Sequence, residues 1–308
     1  MHATCVIYNP AAGRGRAERL LNALPPSLAS GVELRPTTTE GHAVELARRA
    51  CDDGFVKVVA AGGDGTVHEV ANGVLQSGRR DVVFGTWPIG SANDFAFTLG
   101  LDVWWKIREQ NPPLDVLEID VGRVTAPGRE RFFVDSVGIG FNGMVTIESR
   151  KTKWLAGLPL YAWAFLKALA RHFATPPMTV RFDGREITGP TLALSILNAQ
   201  REGNFPLRPN AILTDGQFDY MHAKGLTRLH LVRYLPAMVR GKLPEGHPRL
   251  ALGRASRIEV QREAPLCVHA DGEFVCVPED GVKEIAIEVL PQRLKVEVYR
   301  PALYGGLQ

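Results

Sequence analysis

Residues 58–74 read VVAAGGDGTVHEVANGV, and within them Gly62, Gly63 and Gly65 surround the single carboxylate of Asp64, with Thr66 next. The pentapeptide interrupts an apolar run that resumes with a new spacing. Val67, Val70, Ala71, Val74 and Leu75 follow the i, i+3, i+4, i+7, i+8 pattern, which predicts a helix from close to Thr66. Thr66 and Glu69 form a Thr-x-x-Glu capping box that would fix its start. A loop at a helix N-terminus offers unpaired backbone N–H groups and the positive end of the helix dipole, a setting for phosphate. Glycines there let the backbone approach an anion and allow positive φ. Asp64 would repel that anion unless a cation stood between them, so it reads as a Mg²⁺-linked or proton-handling carboxylate. No Gly-Lys-Ser/Thr follows, so the loop is not the P-loop pattern.

The elements that must position this loop alternate between strand and helix periods. Apolar, β-branched runs at Ala3–Tyr8, Val32–Leu34, Phe55–Ala61 and Val82–Trp87 have strand length. Ala43, Leu46, Ala47, Ala50 and Cys51 recur at helical spacing before Gly54. Repeated β-α-β units mean a parallel sheet covered by helices, whose ligands gather at the C-terminal ends of the strands. Three more loops fall at that edge: Asn9-Pro10-Ala11-Ala12-Gly13 with Arg14 and Arg16, Thr37, and the segment from Pro88 through Ser91, Asn93 and Asp94 to Phe95. Each is small, polar or glycine-bearing where a nucleotide would lie. After Asp120–Val124 the texture changes: Asp183-Gly184, Asp215-Gly216 and Asp271-Gly272 separate strand-like runs in an antiparallel, sandwich-like pattern. The fold class expected is α/β, an N-terminal Rossmann-like parallel domain over residues 1–124 and a C-terminal β-sandwich over 125–308, its extreme C-terminus a candidate to pack back on the first domain.

Bulk properties exclude several classes. At 308 residues the chain can hold two cores. A net charge of +3 from 36 basic and 33 acidic residues is too small and dispersed to argue for nucleic acid. The four cysteines, Cys5, Cys51, Cys267 and Cys276, form no CxxC pair and read as buried thiols of a reducing compartment, and the N-terminus lacks a secretion-signal layout, so a cytoplasmic protein is expected. The longest apolar stretch, Trp154–Ala170, holds Pro159 and Lys167 and falls short of the ~20 residues a membrane span needs.

Asn-Pro-x-x-Gly, Gly-Gly-Asp-Gly-Thr and Pro-x-Gly-Ser-x-Asn-Asp-Phe, in this order and at these intervals, resemble the diacylglycerol kinase catalytic family, which includes soluble lipid kinases and sphingosine and ceramide kinases. Gly-Gly-Asp-Gly alone is shared with NAD kinases, and the Asn-Asp-Phe motif favours the lipid kinases. The resemblance extends through Asn198, Gly203, Pro209-Asn210-Ala211, Asp215–Asp219 and Asp271-Gly272-Glu273. It implies ATP in an interdomain cleft, held by Asn9, Pro10, Ala11, Ala12, Gly13, Thr37, Gly62, Gly63, Asp64, Gly65, Thr66, Val67, His68 and Ser91. It also implies Mg²⁺ on the Asp215 carboxylate and the backbone carbonyls of Ile212 and Gln217, with catalytic acids at Asp271 and Glu273. Phosphoryl transfer to an alcohol needs such a carboxylate to take the hydroxyl proton. On a continuing strand Asp271 and Glu273 would point the same way, either serving as base. Three positions depart from the family: Ser91 stands for Thr, His42 for Asp, and Asn204 for the second glycine of a pair.

The acceptor this implies is a lipid hydroxyl, diacylglycerol by default, with phosphatidylglycerol, a sphingoid base or a polyprenol left open, as is a homodimer. NAD kinase and a non-catalytic nucleotide- or lipid-binding regulator are the rivals. Trp154, Leu155, Leu158, Tyr161, Trp163 and Phe165, flanked by Arg150, Lys151, Lys153, Lys167 and Arg171, fit either an interfacial helix touching a membrane or a helix packed on the sandwich. Two motifs mislead: Gly138-x-Gly140-x-x-Gly143 lacks the acid of a dinucleotide site, and His68-Glu69 lacks the second histidine of a zinc protease, Asn72 standing there instead.

Overall fold

The computed structural model describes residues 4–152, 154–155, 157–244 and 246–300. The chain forms two compact units, one from the N-terminal residues to Ile119 together with the segment from Gln292, the other Asp120–Pro291. The division returns the chain from Gln292, the second part of the final strand, to the first unit and leaves the first part of that strand with the sandwich.

The first unit runs β1 (Thr4–Tyr8), α1 (Ala12–Gly15), α2 (Ala17–Asn22), α3 (Pro26–Ala29), β2 (Val32–Pro36), α4 (His42–Asp52), β3 (Lys57–Gly62), α5 (Asp64–Gln76), β4 (Val83–Pro88), α6 (Asp94–Thr98) and α7 (Leu101–Ile107). β1 pairs in parallel with both β2 and β3, and β3 with β4. Val6, Ile7, Val58, Val59 and Ala60 are fully buried, as strands covered on both faces must be. The order β2-β1-β3-β4 turns the winding direction between β1 and β3, so the loops after those two strands flank the crevice where such sheets bind ligands. Helices α4 and α5 pack tightly because Gly73 has no side chain: a Cβ there would strike the Val44 carbonyl and Ala47.

The second unit contains β5 (Asp115–Ala126, from Asp120), β6 (Arg129–Phe133), β7 (Ser136–Gly140), α8 (Phe141–Lys151), α9 (Gly157–Arg171), β8 (Pro177–Phe182), β9 (Arg185–Leu197), β10 (Phe218–Lys224), α10 (Arg228–Val239), β11 (Leu250–Ala255), β12 (Arg257–Gln261), β13 (Val268–Ala270), β14 (Glu273–Cys276) and the first part of β15 (Glu284–Val298). The long strand β9 serves two sheets: its first half pairs with β8, its second with β7 and β10. Between the sheets lies a core of Val137, Ile139, Leu194, Ile196, Val268 and Ala270 against Val180, Phe182, Ile258, Val260 and Ile287. The opposite face of the β7–β9 sheet packs with α8, α9 and α10 around Phe141, Phe165, Leu169, Leu197 and Leu231. The last residues of β15 add a parallel edge to β4, where Gly85 leaves room for Glu297 to pair with Lys57.

Candidate active site

In the first unit, three loops at the C-terminal edge of the sheet are locked together. Asn9 Oδ1 accepts from the Ala11 amide at 2.9 Å, and the Asn9 amide donates to Ala61 at 3.3 Å, tying the first loop to the end of β3. Gly13 lies at φ +59, with Ile89 so close that an added Cβ would stand 3.0 Å from its carbonyl oxygen. Gly63 and Gly90 touch backbone to backbone, and a side chain on Gly90 would collide with the Gly63 Cα. The Ile89 and Gly90 amides both donate to the Gly62 carbonyl, at 3.0 and 2.9 Å.

Asp64 completes this lock. Its Oδ2 accepts from the Asn93 amide at 2.9 Å and its Oδ1 from the Asp94 amide at 2.8 Å. Asn93 takes positive φ, +58, to present those two amides together. The helix therefore starts at Asp64, two residues before the predicted Thr66, with extended Gly63 as its N-cap and no side-chain cap. The expected Thr66–Glu69 capping box does not form. Glu69 reaches instead to the neighbouring helix, accepting from the Gly41 amide at 2.9 Å and the Ala43 amide at 3.1 Å. The close α4–α5 packing brings the N-terminus of α4 within its reach, and the glycine cap of α5 leaves first-turn amides for an external anion.

Of the other nucleotide-binding candidates, Thr37 follows β2 and donates its amide to Tyr8 at 2.9 Å, while Ser91 is exposed on the β4 loop. Thr66, Val67 and His68 are buried in the first turns of α5, and the Asn72 side-chain amide donates to the His68 carbonyl at 2.9 Å. His42, one of the departures, accepts at Nδ1 from the Thr38 amide at 3.1 Å and so shapes the loop after β2.

In the second unit, Asp271 and Gly272 form a two-residue hairpin turn between β13 and β14, both at positive φ, +51 and +83. The strand therefore does not continue through them, and the two acids do not share a face by alternation. Asp271 is buried, and its carboxylate accepts three amides: Val134 at 3.0 Å, Asp135 at 2.9 Å and Ser136 at 3.0 Å. Glu273 pairs through Oε2 with Arg150 of α8, whose guanidinium also donates to the Gly272 carbonyl and lies 4.9 Å from the Phe274 ring centroid. Asp215 accepts the Gln217 amide at 3.1 Å on Oδ1 and faces Arg254 at 3.2 Å on Oδ2, while Ile212 and Gln217 beside it are exposed. Carboxylate and carbonyl oxygens are the donors a hard divalent cation takes. Here Arg254 lies against one oxygen of the Asp215 carboxylate as a competing charge, so the metal set fits in part. No group of three or more His, Cys, Asp or Glu side chains that could hold a metal occurs among the described residues.

Three buried polar residues went unsingled or unexplained in the sequence. Asp120 Oδ2 accepts the Gly216 amide at 2.7 Å, holding the Asp215 loop. Asn198 donates to the carbonyls of Asp120 and Val134, at 2.9 and 3.1 Å, and the Asp135 carbonyl accepts from the Asn198 and Ala199 amides. The available signal was an acid inside an apolar run, EIDVG and FFVDS. The four cysteines are buried and unpaired, and burial pushes the thiols of Cys5 and Cys267 up to about 12, so they are inert.

Each unit by itself carries features that fit a phosphotransferase with an alcohol acceptor: an anion-ready glycine loop in the parallel α/β unit, and acids at a hairpin turn in the β-sandwich unit. Residues 3–124 match the diacylglycerol kinase catalytic domain and residues 135–298 the YegS C-terminal NAD kinase beta sandwich-like domain. The chain belongs to the family of diacylglycerol kinases and YegS-like lipid kinases. It is 28% identical to the diacylglycerol kinase of Bacillus subtilis (strain 168), over 87% of this chain and 89% of that protein. It is 30% identical to a protein of Xanthomonas oryzae pv. oryzae (strain MAFF 311018) named "Probable lipid kinase YegS-like", over 87% and 86%. A crystal structure titled as a diacylglycerol kinase from Bacillus anthracis str. Sterne has the same fold, with a TM-score of 0.71 at 21% identity over 98% of each chain.

Proposed function

We propose that the protein transfers the γ-phosphoryl group of ATP to a lipid hydroxyl, with diacylglycerol the first acceptor to test. The observation that carries this is the interlocked glycine loop at the N-terminus of α5, which has no side-chain cap and which Asp64 fixes to the loop after β4. Asn9–Gly13, Thr37, Gly62–Gly65 and Ser91 bind the nucleotide, and Asp64 acts as a positioning residue since both its oxygens hold amides. Glu273 is the general base: Asp271 is taken up by three amides and builds the turn, whereas Glu273 has only one oxygen on Arg150, which orients it. A divalent cation, Mg²⁺ by its oxygen preference, would be held by Asp215 with the Ile212 and Gln217 carbonyls and would offset phosphate charge.

The lipid is met at a bilayer. Trp154 and Trp163 are exposed by 70% and 43%, meet edge to face at 6.3 Å, and stand beside Leu166 with Lys151 and Arg171 close in sequence. Phe165, Tyr161 and Leu158 pack inward instead, so the aromatic segment divides between the two readings. Lys153 lies outside the described residues. No helix of the described residues is long and apolar enough to cross a membrane. A cytoplasmic enzyme visiting the membrane surface fits these features.

The test is transfer from γ-labelled ATP to lipid in mixed micelles. Label is expected in the organic phase, with Glu273→Gln lowering kcat by about 10²–10⁴-fold while nucleotide binding persists. Label in NADP, or undiminished turnover by Glu273→Gln, would overturn the reading.

A further inference from the structure

On the helix-facing side of the β7–β9 sheet, one polar row stands beside the apolar helix contacts. His269 of β13 pairs with Gly138 of β7, and Gly138 with Ser195 of β9, so the three stand in line across the sheet. Their sequence neighbours Val137, Ile139, Leu194, Ile196, Val268 and Ala270 all point into the sandwich core, which fixes the row on the opposite face. Gly138 is the centre of the row for a steric reason: a Cβ there would strike both His269 Nε2 and Glu202 Oε1. Those two atoms meet over it at 3.3 Å. Asn142, in the first turn of α8, donates to Glu202 Oε1 at 2.9 Å and to Ser195 Oγ at 2.7 Å. Glu202 arrives on a tight turn to Phe205 in which Gly203 and Asn204 both have positive φ, a role in which asparagine replaces glycine readily.

The cluster is short of donors. His269 is 4% and Glu202 11% exposed in their side chains, and His269 Nδ1 and Glu202 Oε2 have no hydrogen-bond partner. Glu202 Oε2 is an acceptor, and His269 Nδ1 accepts or donates according to its tautomer. Leaving such atoms dry and unpaired is costly, which points to an occupant that brings hydrogen-bond donors. The apolar cluster of Phe141, Phe165, Phe205 and Leu197 adjoins on the same face. Asp271, in the turn that follows β13, comes two residues after His269.

We propose that His269 Nδ1 and Glu202 Oε2 receive the polar head of the lipid acceptor, and that this head carries a donor group besides the hydroxyl that is phosphorylated. This rests on the lipid-kinase reading and narrows its acceptor. A glycerol-headed or amino-alcohol lipid supplies the second O–H or N–H. Diacylglycerol, whose single donor is the reacting hydroxyl, does not. A site built to hydrogen-bond a substrate group discriminates strongly against an analogue that lacks it.

The experiment compares wild-type kcat/KM for phosphatidylglycerol, sphingosine and diacylglycerol of matched chain length in the same micelles, then repeats it for Glu202→Gln and His269→Gln. The wild-type protein is expected to favour at least one two-donor lipid over diacylglycerol by roughly tenfold or more. Each substitution is expected to shrink that ratio, mainly through KM. Diacylglycerol as the equal or better acceptor overturns the proposal while leaving the kinase reading intact. So does an equal loss on all three lipids, the mark of a buried water or a merely structural cluster. Phosphorylation of no lipid at all would instead remove the kinase reading, and the proposal with it. A wild-type ratio that favours diacylglycerol overturns the proposal even if the substituted proteins fold poorly.

Discussion

At the scale of single residues, the site depends on side chains that are missing as much as on those present. Gly90 and Gly63 touch because neither has a Cβ, and this contact sets the spacing of two nucleotide-loop backbones. Gly90→Ala is expected to part them and to weaken ATP binding by at least tenfold, about 1.4 kcal/mol, in a nucleotide titration. Ser91→Ala, on the same loop but exposed, should cost less. Equal effects would show that the contact does not set the loop. The glycines of the misleading GxGxxG segment have comparable steric reasons: Gly138 clears space for His269 and Glu202, Gly140 turns at φ +78, and Gly143 lets α8 approach Cys267. None of them needs a dinucleotide.

At the scale of elements, helices α4 and α5 behave as one piece. Glu69 lies in α5 yet caps α4 through the Gly41 and Ala43 amides, a connection across 28 and 26 positions of sequence. Glu69→Ala is expected to lower stability by about 1 kcal/mol, read by urea denaturation, and to loosen the loop that carries Thr37. A Thr66→Val change should cost no comparable cap, since Thr66 caps nothing here. The α9 segment makes a separate prediction. Trp154→Ala with Trp163→Ala is expected to reduce co-sedimentation with anionic vesicles several-fold without changing the thermal midpoint, because both rings are exposed. Unchanged vesicle binding would remove the membrane surface from this segment.

At the scale of the whole molecule, acid sensitivity falls on the second unit. His222 is buried and bonded to Thr191 Oγ1 at 2.9 Å, and burial, with Lys224 adding, pushes it down from 6.5 to about 4. The unfolded chain then binds a proton that the folded chain refuses, so the stability it contributes is full above pH 6.5 and is lost as pH falls toward 4, by up to about 3 kcal/mol. Glu148, buried under α9, is held at about 2, chiefly by the Lys167 ammonium at 2.9 Å, with His172 and Lys151 adding. Its contribution is present above pH 4.5 and is lost below it, toward 2. Denaturation free energies measured from pH 7 to 4 should therefore fall, and His222→Gln should flatten that slope. An unchanged slope would remove His222 as its source.

Periodicity, turn residues and motif spacing in the sequence were enough to give the strands of the parallel sheet, the antiparallel texture that follows it, and the loops at one sheet edge. Each of these depends on residues near one another in the chain, where local spacing carries the signal. The sequence could not say that Glu69 caps a different helix or that Asp64 holds the loop after β4. Nor could it say that Asp271 sits in a turn instead of a strand, or that Glu202 meets His269 above Gly138. Those are partnerships between side chains and amides tens to over a hundred residues apart. They are decided only when packing brings the elements together, because hydrogen-bonding groups leave no periodic trace of the partner they will find.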